Sequence, residues 1–168
     1  MTSKGIHWRG MTTLDLPAVQ AIAACVHPSF PEDLAVFAER RALYPDGAWL
    51  LDINGAPSGY FLTHPWTAGT MPKLNQLYGT LPSGPRTYYL HDLALLPQAR
   101  GHGAAGVIVE QVLDHARRAG FATASLAAVN GSAPFWSRYG FVPVDVPELR
   151  EALLSYEDAA QYMVRQLS

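Results

Sequence analysis

Apolar residues recur at helical spacing over Val19, Ile22 and Val26, and again over Leu34, Phe37, Ala38 and Leu43, the stripe of a helix laid on a core. Thr13 or Asp15 is placed to cap the first of these helices, and Ser29-Phe30-Pro31 precedes the second. A third stripe, Val107, Ile108, Val112, Leu113 and Ala116, runs into Arg117-Arg118-Ala119-Gly120, cations in a last turn and a glycine just beyond it. Between the helices lie β-rich runs. His7-Trp8-Arg9 predicts an opening strand, and Trp49–Ile53 and Tyr60–Thr63, joined by Asn54-Gly55-Ala56-Pro57-Ser58-Gly59, predict a hairpin. Tyr88–Leu96 is too apolar for anything but a buried central strand. Phe121–Val129 and Phe141–Val144 read as strands around a short helix at Pro134–Tyr139, and a helical Pro147–Ser155 precedes a last strand at Ala160–Leu167.

Trp66–Arg86 has no sustained period and holds three prolines. A loop of that length in a compact domain is a functional lid or a surface excursion, with room for a short helix through Leu74 and Leu77. No repeat or linker divides the chain, so residues 1–168 are expected to form one domain, as monomer or homodimer. Formal net charge is −2 and no basic stripe stands out, which argues against nucleic acid as a ligand. The single Cys25 excludes an internal disulfide and fits a reducing compartment. No apolar run has transmembrane length and the first residues lack an apolar signal core, so no membrane partner is expected and the expected compartment is the cytoplasm. The six histidines show no metal-ligand spacing, and no metal is expected.

The stretch Ala99-Arg100-Gly101-His102-Gly103-Ala104-Ala105-Gly106 admits two readings. From Gly101 it is G-x-G-x-x-G, a dinucleotide fingerprint; from Arg100 it is R-x-x-G-x-A. A strand, a glycine turn and a helix N-terminus make an anion site under either. A Rossmann site needs an acidic residue about twenty positions on, and none occurs from Phe121 to Val144. A phosphate-binding Gly-Lys-Ser/Thr is also missing.

Arg100, Gly103 and Ala105 fill the Q/R-x-x-G-x-G/A positions of the GNAT N-acetyltransferase superfamily, which the chain resembles. A second landmark is Ala133-Pro134-Phe135-Trp136-Ser137-Arg138-Tyr139-Gly140-Phe141, similar to that family's aromatic helix ending in Gly-Phe. The order of elements matches over nearly the whole chain. Within the family the chain is most similar to arylalkylamine N-acetyltransferases, through Leu90-His91-Asp92-Leu93-Ala94. The resemblance implies an α/β (α+β) GNAT fold: a mixed sheet of six to seven strands, helices on both faces, and a splayed parallel strand pair. It implies acetyl-CoA as cosubstrate, its pantetheine arm along the backbone of Leu93, Ala94 and Leu95, its pyrophosphate on the amides of Arg100, Gly101, His102, Gly103, Ala104 and Ala105, and a further contact from Asn130.

Acetyl transfer to an amine needs a base first. An alkylammonium of pKa about 10.4 costs roughly 5 kcal/mol to deprotonate at pH 7, whereas a thiol of pKa about 8.5 leaves as thiolate for only about 2 kcal/mol. His91 is the candidate base, direct or through water, its neutral form being available near pH 7; the plain alternative is a core histidine. Strand alternation puts His91 with Tyr89, Leu93 and Leu95. Asp92 then falls on the opposite face as a structural acceptor, unless a bulge turns it inward. Trp136 stands where the family has a tyrosine acid. An indole N–H donates a hydrogen bond to a thiolate but cannot protonate it, and Tyr139 nearby is either that acid or packing. Tyr89, Phe61 and Trp66 are the candidate acceptor contacts. Cys25 is expected to be buried packing, His102 solvated and His115 exposed. A small, aromatic amine is the expected acceptor. A peptide amine, and a CoA-binding module with little catalysis, remain alternatives.

Overall fold

A computed structural model describes residues 5–84 and 86–167. Seven strands form one sheet in the order β1-β2-β3-β4-β5-β7-β6: β1 Ile6–Gly10, β2 Ala48–Ile53, β3 Ala56–Thr67, β4 Arg86–Leu95, β5 Thr123–Ala128, β6 Val142–Pro143 and β7 Gln161–Gln166. The helices are α1 Leu16–Val26, α2 Leu34–Leu43, α3 Ala104–Arg118, α4 Ala133–Ser137 and α5 Arg150–Tyr156. Every strand pair is antiparallel except β4 with β5. The expected mixed sheet with one parallel pair is therefore present.

The two faces of the sheet carry separate cores. Leu16, Val19, Ile22 and Ala23 of α1, with Phe37 of α2, pack on Leu50, Tyr60, Leu62 and Ala94. On the other face Ile108, Val109, Val112, Leu113 and Ala116 of α3 meet Phe61, Tyr88, Leu90, Leu126 and Trp136. Val107, counted in that stripe from the sequence, is 54% exposed; Val109 takes its place inside, one turn from Leu113 and Val112.

Several boundaries differ from the sequence reading for physical reasons. β3 runs on through His64, Pro65 and Trp66 to Thr67, held along that stretch by β4 as far as Arg86, whereas β2 pairs with β3 only as far as Leu62. The outer edge is then unpaired at Pro65, which has no N–H to donate. No helix forms through Leu74 and Leu77; the N–H groups of Asn75, Tyr78 and Gly79 are taken by the side chains of Glu32 and Glu39 instead. Cys25 is exposed rather than packed inside. His115 is half-buried, its Nε2 2.7 Å from the Tyr44 hydroxyl. No helix among the described residues is long and apolar enough to cross a membrane.

Candidate active site

The site starts from an irregularity in β4. Leu62 pairs with Asp92 and Thr63 with Leu90, so His91 is an extra residue with no partner in β3, a β-bulge. Directly paired residues share a face, which puts Leu90 with Thr63 toward α3, and Asp92 with Leu62 toward α1. His91 lies on the α1 side too, with its Nδ1 3.1 Å from His64 Nε2. The alternation drawn from the sequence fails at this residue. Asp92 is on the same side as His91, held by the Tyr60 hydroxyl at 2.6 Å and His27 Nε2 at 3.0 Å, while Leu93 packs toward α3.

Beyond the bulge the parallel strands part. β4 and β5 are paired only at Tyr88↔Ala124 and Tyr89↔Ser125, although β4 continues to Leu95 and β5 to Ala128. The β5-facing edge of β4 is thus without a strand partner along Leu90–Leu95, and its backbone groups need partners from elsewhere. A cavity of about 550 Å³ opens there. Leu90, Leu93 and Leu95 form one wall and Leu126, Ala127 and Val129 the other. One end reaches Arg100, Ala105 and Trp136; the other reaches His27, Glu32, Phe30 and Tyr156.

At the first end the chain turns into α3. Gly101 and Gly103 hold φ of 82° and 75°, left-handed conformations that suit glycine. Gly103 is the N-cap of α3, so the first N–H groups of the helix have no helical acceptor and face outward with the positive end of the dipole. Gly106 plays a different part. A Cβ there would lie 2.5 Å from the Tyr139 hydroxyl, so this glycine admits an aromatic ring rather than an anion. The Arg100 Nε–H donates to the Leu95 carbonyl at 3.2 Å, which leaves the guanidinium at the junction of strand and loop. The parted strands, the left-handed turn and the open helix N-terminus fit an elongated thioester carrier with a pyrophosphate.

The second end is acidic and aromatic. Glu32 Oε2 accepts the N–H of Asn75 at 3.0 Å, and the Asn75 side chain accepts the N–H of Asp33 at 2.7 Å. Burial, with the neighbouring Asp92, raises the Glu32 pKa. His27 is subject to opposing effects: burial lowers its pKa, but the hydrogen bond to Asp92 and that carboxylate's charge prevail and the pKa is raised. The Phe30 and Tyr156 rings stand 5.7 Å apart, and Tyr156 donates to the Pro72 carbonyl at 3.3 Å. Residues 72–79, expected as a lid or a surface excursion, are tied down. Glu39 accepts from Tyr78 and Gly79, Arg40 Nη2 donates to the Gln76 carbonyl at 2.6 Å, and the Arg40 guanidinium lies 3.3 Å from the centre of the Tyr78 ring.

His91 lines the cavity between the two ends. Burial, the neighbouring His64 and the Arg40 charge push its pKa well below the ordinary histidine value, so it is neutral near pH 7. Trp136 lines the same cavity on Phe61, Phe135 and Phe141. Leu95, Ala105, Asn130 and Tyr89 line it also. Gly101, Gly103, Ala104 and Tyr139 border the adjoining hollow at the glycine turn, where Arg100 belongs to both. His102 is exposed in that turn, as expected. Ala94 is buried against α1, away from the cavity wall. Phe61 and Trp66 sit one layer back, Phe61 beneath Trp136 and Trp66 4.4 Å from the Tyr78 ring. Sequence reasoning missed His27, Glu32, Phe30, Asn75 and Tyr156. The sole signal they gave was Phe30-Pro31-Glu32, a non-periodic break between two helical stripes. Among the described residues no group of three His, Cys, Asp or Glu side chains is placed to hold a metal ion.

Comparison with known proteins agrees with this architecture. A search of curated proteins by sequence finds no match. Among solved structures, Ard1 from Thermoplasma volcanium superposes with a TM-score of 0.73 at 16% identity, over 96% of this chain and 97% of that one. Arabidopsis thaliana Naa50, solved with the bisubstrate analogue CoA-Ac-MVNAL, gives 0.70 at 17% identity over 95% and 97%. The GNAT-like decarboxylase GphF, solved with isobutyryl-CoA, gives 0.78 at 18% over 96% and 100%. At these identities the likeness is one of fold. The profile described as Acetyltransferase (GNAT) family matches residues 16–141, from the start of α1 to the Gly-Phe after α4. The chain belongs to the GNAT family of acetyltransferases.

Proposed function

We propose that this protein transfers the acetyl group of acetyl-CoA to a small primary amine by direct attack in a ternary complex. The observation that carries this reading is the parting of β4 and β5 after Tyr89, directly above the left-handed turn into α3. Leu93 and Leu95 would hold the pantetheine arm through the unpaired strand edge, the amides of Gly101–Ala105 the pyrophosphate, and Arg100 and Asn130 the flanks. Bound there, acetyl-CoA supplies an activated acyl thioester. His91 receives the proton of the amine, and the indole of Trp136 lies at the cofactor end of the cavity. Tyr139 packs on Gly106 at the glycine turn.

The far end favours a cation with an apolar body. Glu32 offers a carboxylate there, while His27 is paired with Asp92 and Arg100 belongs to the cofactor end. Phe30 and Tyr156 offer ring faces, where a cation gains about 0.5–2 kcal/mol. The test is thiol release from acetyl-CoA with 2-phenylethylamine, phenylalanine, phenylalanine amide and a short peptide as acceptors. The amine and the amide should react at least tenfold faster than phenylalanine, whose carboxylate meets Glu32 and Asp92. Acetyl-CoA binding without turnover of any acceptor would instead favour a CoA-binding module, and preference for the peptide would move the acceptor to polypeptide N-termini.

A further inference from the structure

His64 is 1% exposed in β3, directly behind His91, and nothing in the proposed reaction has used it. Its two ring nitrogens have different partners. Nδ1 lies 2.9 Å from the Pro65 carbonyl, an oxygen that only accepts, so the proton of His64 sits on Nδ1. Burial holds the His64 pKa down at about 4, and its other nitrogen, Nε2, therefore carries a lone pair. That lone pair faces His91 Nδ1 at 3.1 Å. Two lone pairs at that distance repel, whereas an N–H on His91 Nδ1 makes a hydrogen bond. The Tyr78 hydroxyl closes the triangle, 3.1 Å from His91 Nδ1 and 3.3 Å from His64 Nε2. Its oxygen can share the His91 Nδ1–H as a second acceptor without disturbing that assignment.

We propose that His64 is a positioning residue: through the chain Pro65 C=O to His64 to His91 it fixes the tautomer of His91, leaving the His91 Nε2 lone pair free for the acceptor's proton. The inference rests on the reading of His91 as base. The acceptor's N–H bond breaks, the proton binds His91 Nε2, and the resulting imidazolium still donates from Nδ1 to His64. Alternation brings the rings together, because His64 pairs with Tyr89 and His91 lies two residues on along the same face, and the bulge then adds Asp92 to that side. A neighbouring charge also matters: the buried Arg40 guanidinium, stacked on Tyr78, disfavours protonation of both rings and keeps the pair neutral until the acceptor arrives.

Long-range ¹H–¹⁵N spectra of histidine-labelled protein at pH 7.5 read the tautomer without any need for turnover. His91, assigned from the loss of its signals in His91→Ala, should show a protonated Nδ1 and a bare Nε2. His64→Leu should shift His91 toward the Nε2–H form, since Tyr78 can then donate to Nδ1. It should also lower kcat about 10- to 100-fold with the KM for acetyl-CoA unchanged. His64→Gln, whose side-chain carbonyl can accept from Nδ1, should recover most of both. An Nε2–H tautomer of His91 in the unmodified protein overturns the inference, as does a folded His64→Leu variant of full kcat. The correct tautomer in a protein with no acetyl transfer to any amine leaves the positioning intact and sinks the functional reading instead.

Discussion

Replacing Gly103 and Gly106 one at a time by alanine separates the two duties of the glycine turn. Gly103 has φ 75° and open space around a would-be Cβ. Alanine there collides with nothing but must hold a left-handed conformation, at a cost of about 1–2 kcal/mol. For a domain of this size that lowers Tm by roughly 2–8 °C. Any relief of that strain rotates position 103 away from φ 75°, which turns the first amides of α3 away from the turn. Losing one charge-assisted hydrogen bond of about 1.5–3 kcal/mol weakens acetyl-CoA binding roughly 10- to 100-fold. Gly106 lies inside α3, where alanine gains about 1 kcal/mol of helix propensity against contact with the Tyr139 hydroxyl at 2.5 Å. That hydroxyl is the far end of a ring able to swing aside, so Gly106→Ala should change stability by no more than about 1 kcal/mol, the propensity gain being set against the contact, and leave acetyl-CoA affinity near wild type. Adding Tyr139→Phe should recover the difference, a coupling that the double-mutant cycle measures. Thermal melts and calorimetric titration with acetyl-CoA provide the readouts. If Gly103→Ala binds acetyl-CoA as wild type does, or both variants lose affinity equally, the left-handed turn is not what aims the amides.

Further outcomes follow from the same geometry. Asp15, bidentate to Arg9 at 2.8 and 2.9 Å, has its pKa lowered from 3.8 to about 2, first by that hydrogen bond. A depressed folded pKa stabilises above the unfolded value and is lost as pH falls from about 4 to about 2. With Arg9 a third exposed, about 1 kcal/mol is the expected share. Urea unfolding should show Asp15→Asn weaker than wild type at pH 6, with most of that gap closed by pH 2. Trp136→Phe should keep activity within a few-fold if the indole serves as a cavity wall, while Trp136→Ala should lose about 3–5 kcal/mol of stability; a large kcat loss in Trp136→Phe alone would make its N–H part of the chemistry. NMR titration of His27 should find its pKa above the ordinary histidine value in the wild type and lowered in Asp92→Asn, because burial is then opposed only by the Leu93 carbonyl and the Glu32 charge; no downward shift would mean that Asp92 is not its partner.

The sequence by itself determined the parts whose physics is local. The stripes of α1, α2 and α3, the Asn54-Gly55 hairpin and the glycine turn are set by residues a few positions apart, and so is the identity of the anion-binding element. The pair Arg100–Ala105 and Ala133–Phe141 identified the family, and the profile match spans both. Gly106 was readable as a helix residue but not as the place where Tyr139 enters, since thirty-three positions separate them. What only the tertiary structure decided is the far end of the cavity, the proposed acceptor end. One extra residue at His91 reverses the alternation of β4, and no spacing rule announces a bulge, because its cause lies in the register with β3. His27 meets Asp92, Glu32 meets Asn75, and His64 meets His91 across separations that local periodicity does not reach. Helix and strand periods report which side of an element faces the core; they carry no information on which elements are neighbours. The proposed cofactor cradle is one continuous strand, turn and helix and was therefore legible. The proposed acceptor cradle is assembled from segments far apart in the chain and became visible only once the tertiary fold had brought them together.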